Sequence, residues 1–126
     1  MTGDAVTAFF EDLGSQGYDP LLRSISGSVR FDLVSGKTTE RWLVAVRKGN
    51  LAVSHRNVRA DAVIRLSRTL FESVARGETN LLPATLRGEV ALEGDFRLMI
   101  MARRLLRRRL ALRQPEAAAG KARRQR

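Results

Sequence analysis

The sequence contains no cysteine and a single histidine, and its apolar runs are short. The absence of cysteine excludes disulfide bonds, thiolate nucleophiles, cysteine-based zinc sites and iron–sulfur clusters. One histidine, His55, cannot build a histidine-rich metal site. Apolar runs such as residues 98–102 are far shorter than the roughly 20 residues that cross a bilayer. The sequence therefore predicts no membrane-spanning helix and no sulfur-based metal site.

The remaining composition is that of one small globular domain. The chain has 126 residues, of which 44% are hydrophobic and 29% are charged. A chain of this size buries roughly two-thirds of the surface that it exposes when unfolded, so it can fold without metals or disulfides. Acidic residues surround Phe9 and Phe10, where a secretory signal would need a basic segment before an apolar one. We therefore expect a cytoplasmic protein with one core.

Positive charge is concentrated at the C-terminal end of the chain. The formal net charge is +10 at pH 7. Residues 1–102 hold 13 basic and 12 acidic residues, whereas residues 103–126 hold 10 basic residues and only Glu116 as an acid. The basicity is thus a property of an appendage. We predict one domain over residues 1–108, followed by a basic, disordered tail over 109–126.

Helical and alternating patterns follow one another along the chain. Helical spacing predicts helices over 5–13, 69–76 and 96–112, with shorter helical segments near Pro20 and Pro83. Alternation predicts strands over 28–33, 42–47, 51–54, 62–67 and 89–93. Val90 and Leu92 are expected to point inward from the last strand. The first four strands, joined by turns and a polar stretch, are predicted to form an antiparallel meander.

The final helix is apolar on nearly every side over its first three turns, and Asp95 precedes it as an N-cap. A helix of that kind is buried on most sides or lines an apolar space. Further along, at about 100° per residue, Arg103 and Arg104 fall on one side while Met101 and Ala102 fall on the other. The helix is therefore predicted to end as a basic amphipathic helix.

No catalytic or metal-binding constellation emerges from the residue patterns. Histidine is a common general base, but His55 has no carboxylate near it in sequence, so we interpret it as a surface residue. Glu89, Glu93 and Asp95 are close in sequence, but the strand pattern places the two glutamates on a solvated face. The sequence therefore predicts no enzyme activity, no cofactor and no metal.

Three segments carry characteristic motifs: LRGEVALEGD at 86–95, WLVAVRKG at 42–49, and ADAVIRL at 60–66 followed by Phe71 and Gly77. Together they resemble the sterol carrier protein type 2 (sterol-transfer) domain family. The first segment is similar to the family's glycine-bounded strand that leads into its final apolar helix, and the second to its tryptophan-containing strand and turn. The third reproduces the order of its fourth strand, helix and loop. The resemblance extends over roughly four-fifths of the chain, from Phe9 to Leu106.

This resemblance implies an α+β fold with a five-stranded, mostly antiparallel sheet whose one face is covered by helices, while the basic C-terminal helical tail lies outside the family pattern. It also implies an apolar tunnel that holds a sterol, a fatty acyl chain or another hydrophobic small molecule. The expected lining consists of Phe31, Leu33, Trp42, Val44, Val46, Ile64, Leu66, Phe71, Leu92, Phe96, Met99, Ile100 and Met101. From periodicity alone, the same residues form an ordinary packed core.

The arginine-rich segment has three interpretations. Clusters of four to eight basic residues on an amphipathic helix bind anionic membrane surfaces, so we expect transient membrane contact. The residues expected to make it are Arg103, Arg104, Arg107, Arg108 and Arg109. Nucleic acid or an acidic protein is a competing partner, although a tail without aromatic residues predicts only unspecific nucleic-acid binding. A solvated tail without a partner is the third interpretation.

The leading functional hypothesis is a non-enzymatic carrier of an apolar molecule. The alternative is a regulatory or interaction module whose arginine-rich helix binds an acidic partner. A third hypothesis is a module that presents a lipid intermediate to a catalytic partner. Uptake of an apolar ligand separates the first from the second.

Overall fold

The structure is a computed structural model that describes the backbone of residues 4–113 and the side chains of residues 4–104. This part of the chain forms four helices and five strands, with one 3₁₀ turn at Pro20–Leu22. They are α1 (Ala5–Gln16), β1 (Ser26–Ser35), β2 (Thr38–Arg47), β3 (Asn50–Ser54), β4 (Ala62–Ser67), α2 (Arg68–Ala75), α3 (Leu81–Leu86), β5 (Val90–Gly94) and α4 (Phe96–Arg113). The chain has the predicted α+β fold, and each predicted strand and long helix is present.

The five strands form one mixed sheet in the order β3-β2-β1-β4-β5. Three of its four ladders are antiparallel, but β1 and β4 run parallel. The predicted meander is therefore wrong at β4. A parallel neighbour requires a crossover instead of a tight turn, and residues 55–61 supply it. Arg30 Nη1 on β1 donates a hydrogen bond of 3.0 Å to Val58 O within this crossover.

Alternation along the strands places one row of apolar side chains on the helix-covered face. Phe31 on β1 lies opposite Trp42 on β2 and Ile64 on β4, and Leu33 lies opposite Leu66. All five side chains are buried. Because the side-chain period of a strand is two, this register directs the apolar residues of the central strands toward the helices.

Five aromatic rings fill the space between the sheet and the first two helices. Phe10 is at the centre: its ring stacks on Trp42 and on Phe71, with centroids 4.5 and 5.3 Å away. It also meets Phe9 and Phe31 edge to face, at 5.1 and 5.3 Å. Aromatic pairs at such distances contribute about 0.5–1.5 kcal/mol beyond the area that they bury. Helix α1 is thereby fixed to β1, β2 and α2.

Helix α1 is longer than the sequence pattern predicts. It passes through Gly14 and ends at Gly17, whose φ of 75° is a conformation that favours glycine. A glycine inside a helix costs only about 1 kcal/mol relative to alanine, and packing of the helix on β3 compensates for it. Gly77, by contrast, ends α2 as predicted: its N–H bonds to Val74 O at 3.0 Å in the arrangement typical of a helix C-terminus.

Two close backbone approaches position the start of α4. Gly94 has φ 102°, and a Cβ there would clash with the carbonyl oxygen of Asp61 and lie 2.9 Å from Ala62 Cα. The N–H of Asp95 donates to that same Asp61 oxygen at 2.9 Å. At Gly27 on β1, a Cβ would lie 2.7 Å from a methyl of Leu98. Asp95 caps the helix as predicted, since its side chain accepts from Arg97 N.

Candidate functional site

A small apolar gap lies between α4, α1 and the sheet. Its volume is about 10 Å³, which is about the space that one water molecule needs. Among the described residues, the lining consists of Phe9, Leu13, Val29, Phe31, Val44, Met101 and Ala102. Ligand pockets for small molecules measure about 300–1,000 Å³. This gap is therefore far too small to hold such a molecule.

A second space of about 210 Å³ lies on the surface, between α4 and the 3₁₀ turn. Its apolar side chains are Leu21, Leu22, Ile25, Ile100 and Met101, and its polar ones are Asp19, Arg97 and Arg104. We refer to this space, defined by these eight residues, as the α4 groove. It offers an apolar floor, two arginines and one buried carboxylate, that of Asp19.

Met101 lines both the buried gap and the α4 groove. Its side chain is only 2% exposed, so it forms the wall between an enclosed apolar space and an open one. The methionine side chain is unbranched and flexible and fills irregular gaps. Movement of this one side chain would connect the two spaces.

Ion pairs hold α1, which forms one wall of the gap, to α2 and to the sheet. Arg68 at the start of α2 pairs with Asp4, which caps α1, and with Glu40 on β2, each at 2.8 Å, and also with Glu72. Glu40 in turn accepts a hydrogen bond from Trp42 Nε1 at 2.6 Å. Among residues 4–104, no ion pair joins α4 to another helix or strand. These ion pairs join α1, α2 and β2, whereas the described side chains of α4 pack on the sheet without an ion pair to another element, and the Asp95 N–H bond to Asp61 O holds the start of the helix.

Two pKa shifts follow from the Arg68 ion pairs. The hydrogen bond to Glu40 is the main reason that the pKa of the Arg68 guanidinium lies above its ordinary value, with desolvation opposing it and Asp4 adding to it. For Asp4, desolvation raises the pKa, but the hydrogen bonds from Thr7 and Arg68 outweigh it and hold the pKa below its usual range. Arg68 and Asp4 therefore both carry their charges near neutral pH.

Most residues predicted to line a tunnel are buried under the helices. The buried ones are Phe31, Leu33, Trp42, Val44, Val46, Ile64, Leu66, Phe71, Met99 and Met101. Of these, Phe31, Val44 and Met101 border the gap. Their burial fits both a packed core and a closed ligand space, so their contact with a ligand remains a prediction.

The expected burial of Leu92, Phe96 and Ile100 is wrong. Leu92 lies on the inner face, opposite Ile64, but β5 is an edge strand and the side chain is 41% exposed. Phe96 and Ile100 are 68% and 36% exposed. At 100° per residue they lie one turn apart, on the side of α4 away from its buried positions. The apolar character of this helix on nearly all sides concealed its true orientation.

The gap is also lined by four residues that are not among the predicted lining of the tunnel. They are Phe9 and Leu13 of α1, Val29 of β1 and Ala102 of α4. The helical apolar stripe of α1 and the alternation of β1 predict that the first three are buried. What the sequence did not indicate is that α1 shares a space with α4, because no local pattern records which helices meet.

Two of the five arginines expected at an anionic surface have described side chains. Arg104 is exposed and Arg103 is half-buried, on the side of α4 that the sequence predicts. Arg107, Arg108 and Arg109 lie outside the residues whose side chains are described, and the boundary at 108 and the tail after it remain predictions.

The candidate chemical groups form no reaction centre in the part of the chain that is described. His55 is exposed, with Nδ1 3.0 Å from Arg41 O and its ring 3.8 Å from that of Trp42. Glu89 pairs with Arg87 at 2.8 Å. Within the described residues, no group of three or more His, Cys, Asp or Glu side chains is arranged to hold a metal ion. Within the same residues, no helix combines the length and the apolarity that crossing a bilayer requires.

Solved structures with this fold come from several organisms. The sterol carrier protein domain 2 of Helicoverpa armigera has a TM-score of 0.69 and 17% identity, with 88% of this chain and 93% of that one covered. Palmitated SCP2L2 from Aedes aegypti has a TM-score of 0.65 and 14% identity, covering 83% and 93%. The stereoselective inverting sec-alkylsulfatase Pisa1 from Pseudomonas sp. has a TM-score of 0.60 and 21% identity, covering 83% of this chain but 16% of the enzyme.

These likenesses establish the fold, which makes up most of the first two solved chains and a small part of the enzyme. Among curated proteins, no significant match to this sequence is found. The model of the SCP-2 sterol transfer family, however, matches residues 8–107. That span runs from the second turn of α1 well into α4 and includes all five strands. The chain therefore belongs to the SCP-2 sterol transfer family.

Proposed function

We propose that this domain is a non-enzymatic carrier that takes one hydrophobic ligand into the space between α4 and the sheet. The position of Met101 between the buried gap and the α4 groove carries the proposal. Family membership supports lipid binding and transfer as the general activity. A similar fold solved as palmitated SCP2L2 favours a fatty acyl chain among the ligands to be tried.

The free energies of burial favour opening of the gap by a ligand. Each CH₂ group removed from water contributes about 0.8 kcal/mol, so about ten of them contribute about 8 kcal/mol. Loss of the buried contacts of one methionine costs about 2–5 kcal/mol, as judged from methionine-to-alanine substitutions. A ligand with a long apolar chain can therefore displace Met101 and retain a favourable free energy of binding.

The proposed route enters through the α4 groove and continues past Met101 toward Phe31 and Val44. Helix α4 is the wall that moves, because α1 and α2 are fixed by the Arg68 ion pairs and the aromatic cluster. The remaining buried residues of the predicted lining become accessible to the ligand only as this wall shifts.

Transient contact with an anionic membrane completes the proposal. Leu21 and Phe96 expose 69% and 68% of their surface near the groove, and Arg97 and Arg104 stand at its margin. Exposed apolar side chains beside basic ones are typical of surfaces that bind the membrane interface. Such contact, in the cytoplasm, would allow a lipid to pass between the bilayer and the groove.

Native mass spectrometry of the full chain, freshly purified, tests the carrier function. We expect a bound mass that organic extraction releases as a hydrophobic molecule, or, for protein stripped of lipid, uptake of one added fluorescent fatty acid. A ligand-free mass together with no uptake of the fluorescent fatty acid would contradict the proposal. That result would favour the alternative, a module whose basic C-terminal segment binds an acidic partner.

A further inference from the structure

We infer that the α4 groove binds the anionic headgroup of a single-chain lipid between Arg97 and Arg104. This inference rests on the proposed carrier function and narrows its ligand class to an acyl or alkyl chain that ends in a carboxylate or phosphate. It assigns a specificity role to two arginines, one of which, Arg97, lies outside the arginine-rich segment.

The two guanidinium groups are placed by the helical repeat. Arg97 and Arg104 are seven residues apart, which is two turns and about 10 Å along the helix axis. Ile100 lies on the same side between them, and all three line the groove. One side of α4 thus offers cation, apolar side chain and cation in a row, beside the wall formed by Met101.

Both cations are available to a ligand. The side chain of Arg97 is 90% exposed and lies 3.6 Å from the Asp95 carboxylate, a loose contact for an ion pair. No ion pair found among residues 4–104 includes Arg104. The carboxylate in the groove, Asp19, is buried, and its Oδ1 accepts a hydrogen bond of 3.0 Å from Leu21 N. The exposed charge of the groove is therefore positive.

The apolar floor of the groove explains why the anion should belong to a lipid. Leu22, Ile25, Ile100 and Met101 would contact the first methylenes of a chain whose headgroup lies at the arginines. The chain then points at Met101, beyond which the buried gap begins. The hydroxyl of a neutral ring system accepts at most single, uncharged hydrogen bonds, whereas arginine binds carboxylates and phosphates through paired, charge-assisted ones.

Isothermal titration calorimetry with three twelve-carbon probes tests the inference. The probes are laurate, dodecyl phosphate and dodecanol, each below its aggregation concentration and without vesicles, and the variant carries Arg97→Gln and Arg104→Gln. We expect the variant to bind at least one of the two anionic probes about tenfold to a hundredfold more weakly, because charge-assisted hydrogen bonds are lost. Its affinity for dodecanol should be unchanged. Which anion responds more strongly identifies the headgroup as carboxylate or phosphate.

Arg103→Gln is the control, since it makes the same kind of substitution on the same helix at one position outside the groove lining. It should leave all three affinities within about twofold of the original. An equal loss for dodecanol and the anions, no loss for either anion, or an equal effect of the control would overturn the inference. Dodecanol binding in those cases would still support the carrier function, whereas failure of all three probes would overturn both.

Discussion

Met101→Ala is expected to bind laurate about tenfold more tightly than the original chain. In the ligand-free protein, Met101 fills the wall between the gap and the groove, and a ligand must displace it. Alanine has no such contacts to lose, so part of the free-energy cost of binding disappears. A reduction of about 1.4 kcal/mol in that cost lowers the dissociation constant tenfold. The same substitution should lower the free energy of unfolding of the ligand-free protein by about 2–5 kcal/mol. Calorimetric titration and urea denaturation measure the two effects.

Met99→Ala is the control for this prediction. Met99 is buried on the same helix but lines neither the gap nor the groove among the described residues. Its removal should cost stability without a gain in affinity for laurate. Equal affinities in Met101→Ala and the original chain would show that Met101 is an ordinary core residue and that the ligand does not pass it.

Phe10→Ala is expected to lower the free energy of unfolding by about 3–5 kcal/mol. Phe10 is fully buried and contacts four other aromatic rings. Alanine would leave a cavity at the point where α1, α2 and the sheet meet. Because domains are stable by only about 5–15 kcal/mol, a loss of this size removes a large fraction of the total. Urea denaturation with a shared slope for both proteins gives the difference.

Phe96→Ala offers the same change of side chain at a position that is 68% exposed. It should alter the free energy of unfolding by no more than about 0.5 kcal/mol. A large loss at Phe96, or a small loss at Phe10, would contradict the orientation of α4 and the position of the aromatic cluster described above.

The sequence predicted well where local pattern and burial agree. In β1 and β2, the alternation of Phe31 and Leu33 with polar residues, and of Trp42 with its neighbours, identified the inner face correctly. Glycine and cap chemistry located Gly77 and Asp95 at helix ends, because each satisfies a backbone requirement that nearby residues define. These features depend on a few consecutive residues, so they can be predicted from a single sequence.

The sequence failed where the answer depends on distant contacts. The parallel pairing of β4 with β1 depends on a crossover that passes over the sheet, and nothing within residues 55–61 distinguishes a crossover from a turn. The orientation of α4 was hidden because apolar residues surround its first turns. What fixes it is the approach of Leu98 to Gly27 and of Gly94 to Asp61, both between residues more than thirty positions apart. That orientation also places Met101 between the buried gap and the α4 groove.

Methionine-methyl NMR during a titration with laurate tests directly whether a ligand displaces Met101. The chain has three methionines, and selective ¹³C labelling of their methyl groups reports on Met99 and Met101 within the same helix. We predict that the Met101 signal shifts strongly and saturates at one equivalent of laurate, with a smaller change at Met99 as α4 moves. Binding of laurate that leaves the Met101 signal unchanged would contradict the displacement of Met101. No binding at all would contradict the carrier function.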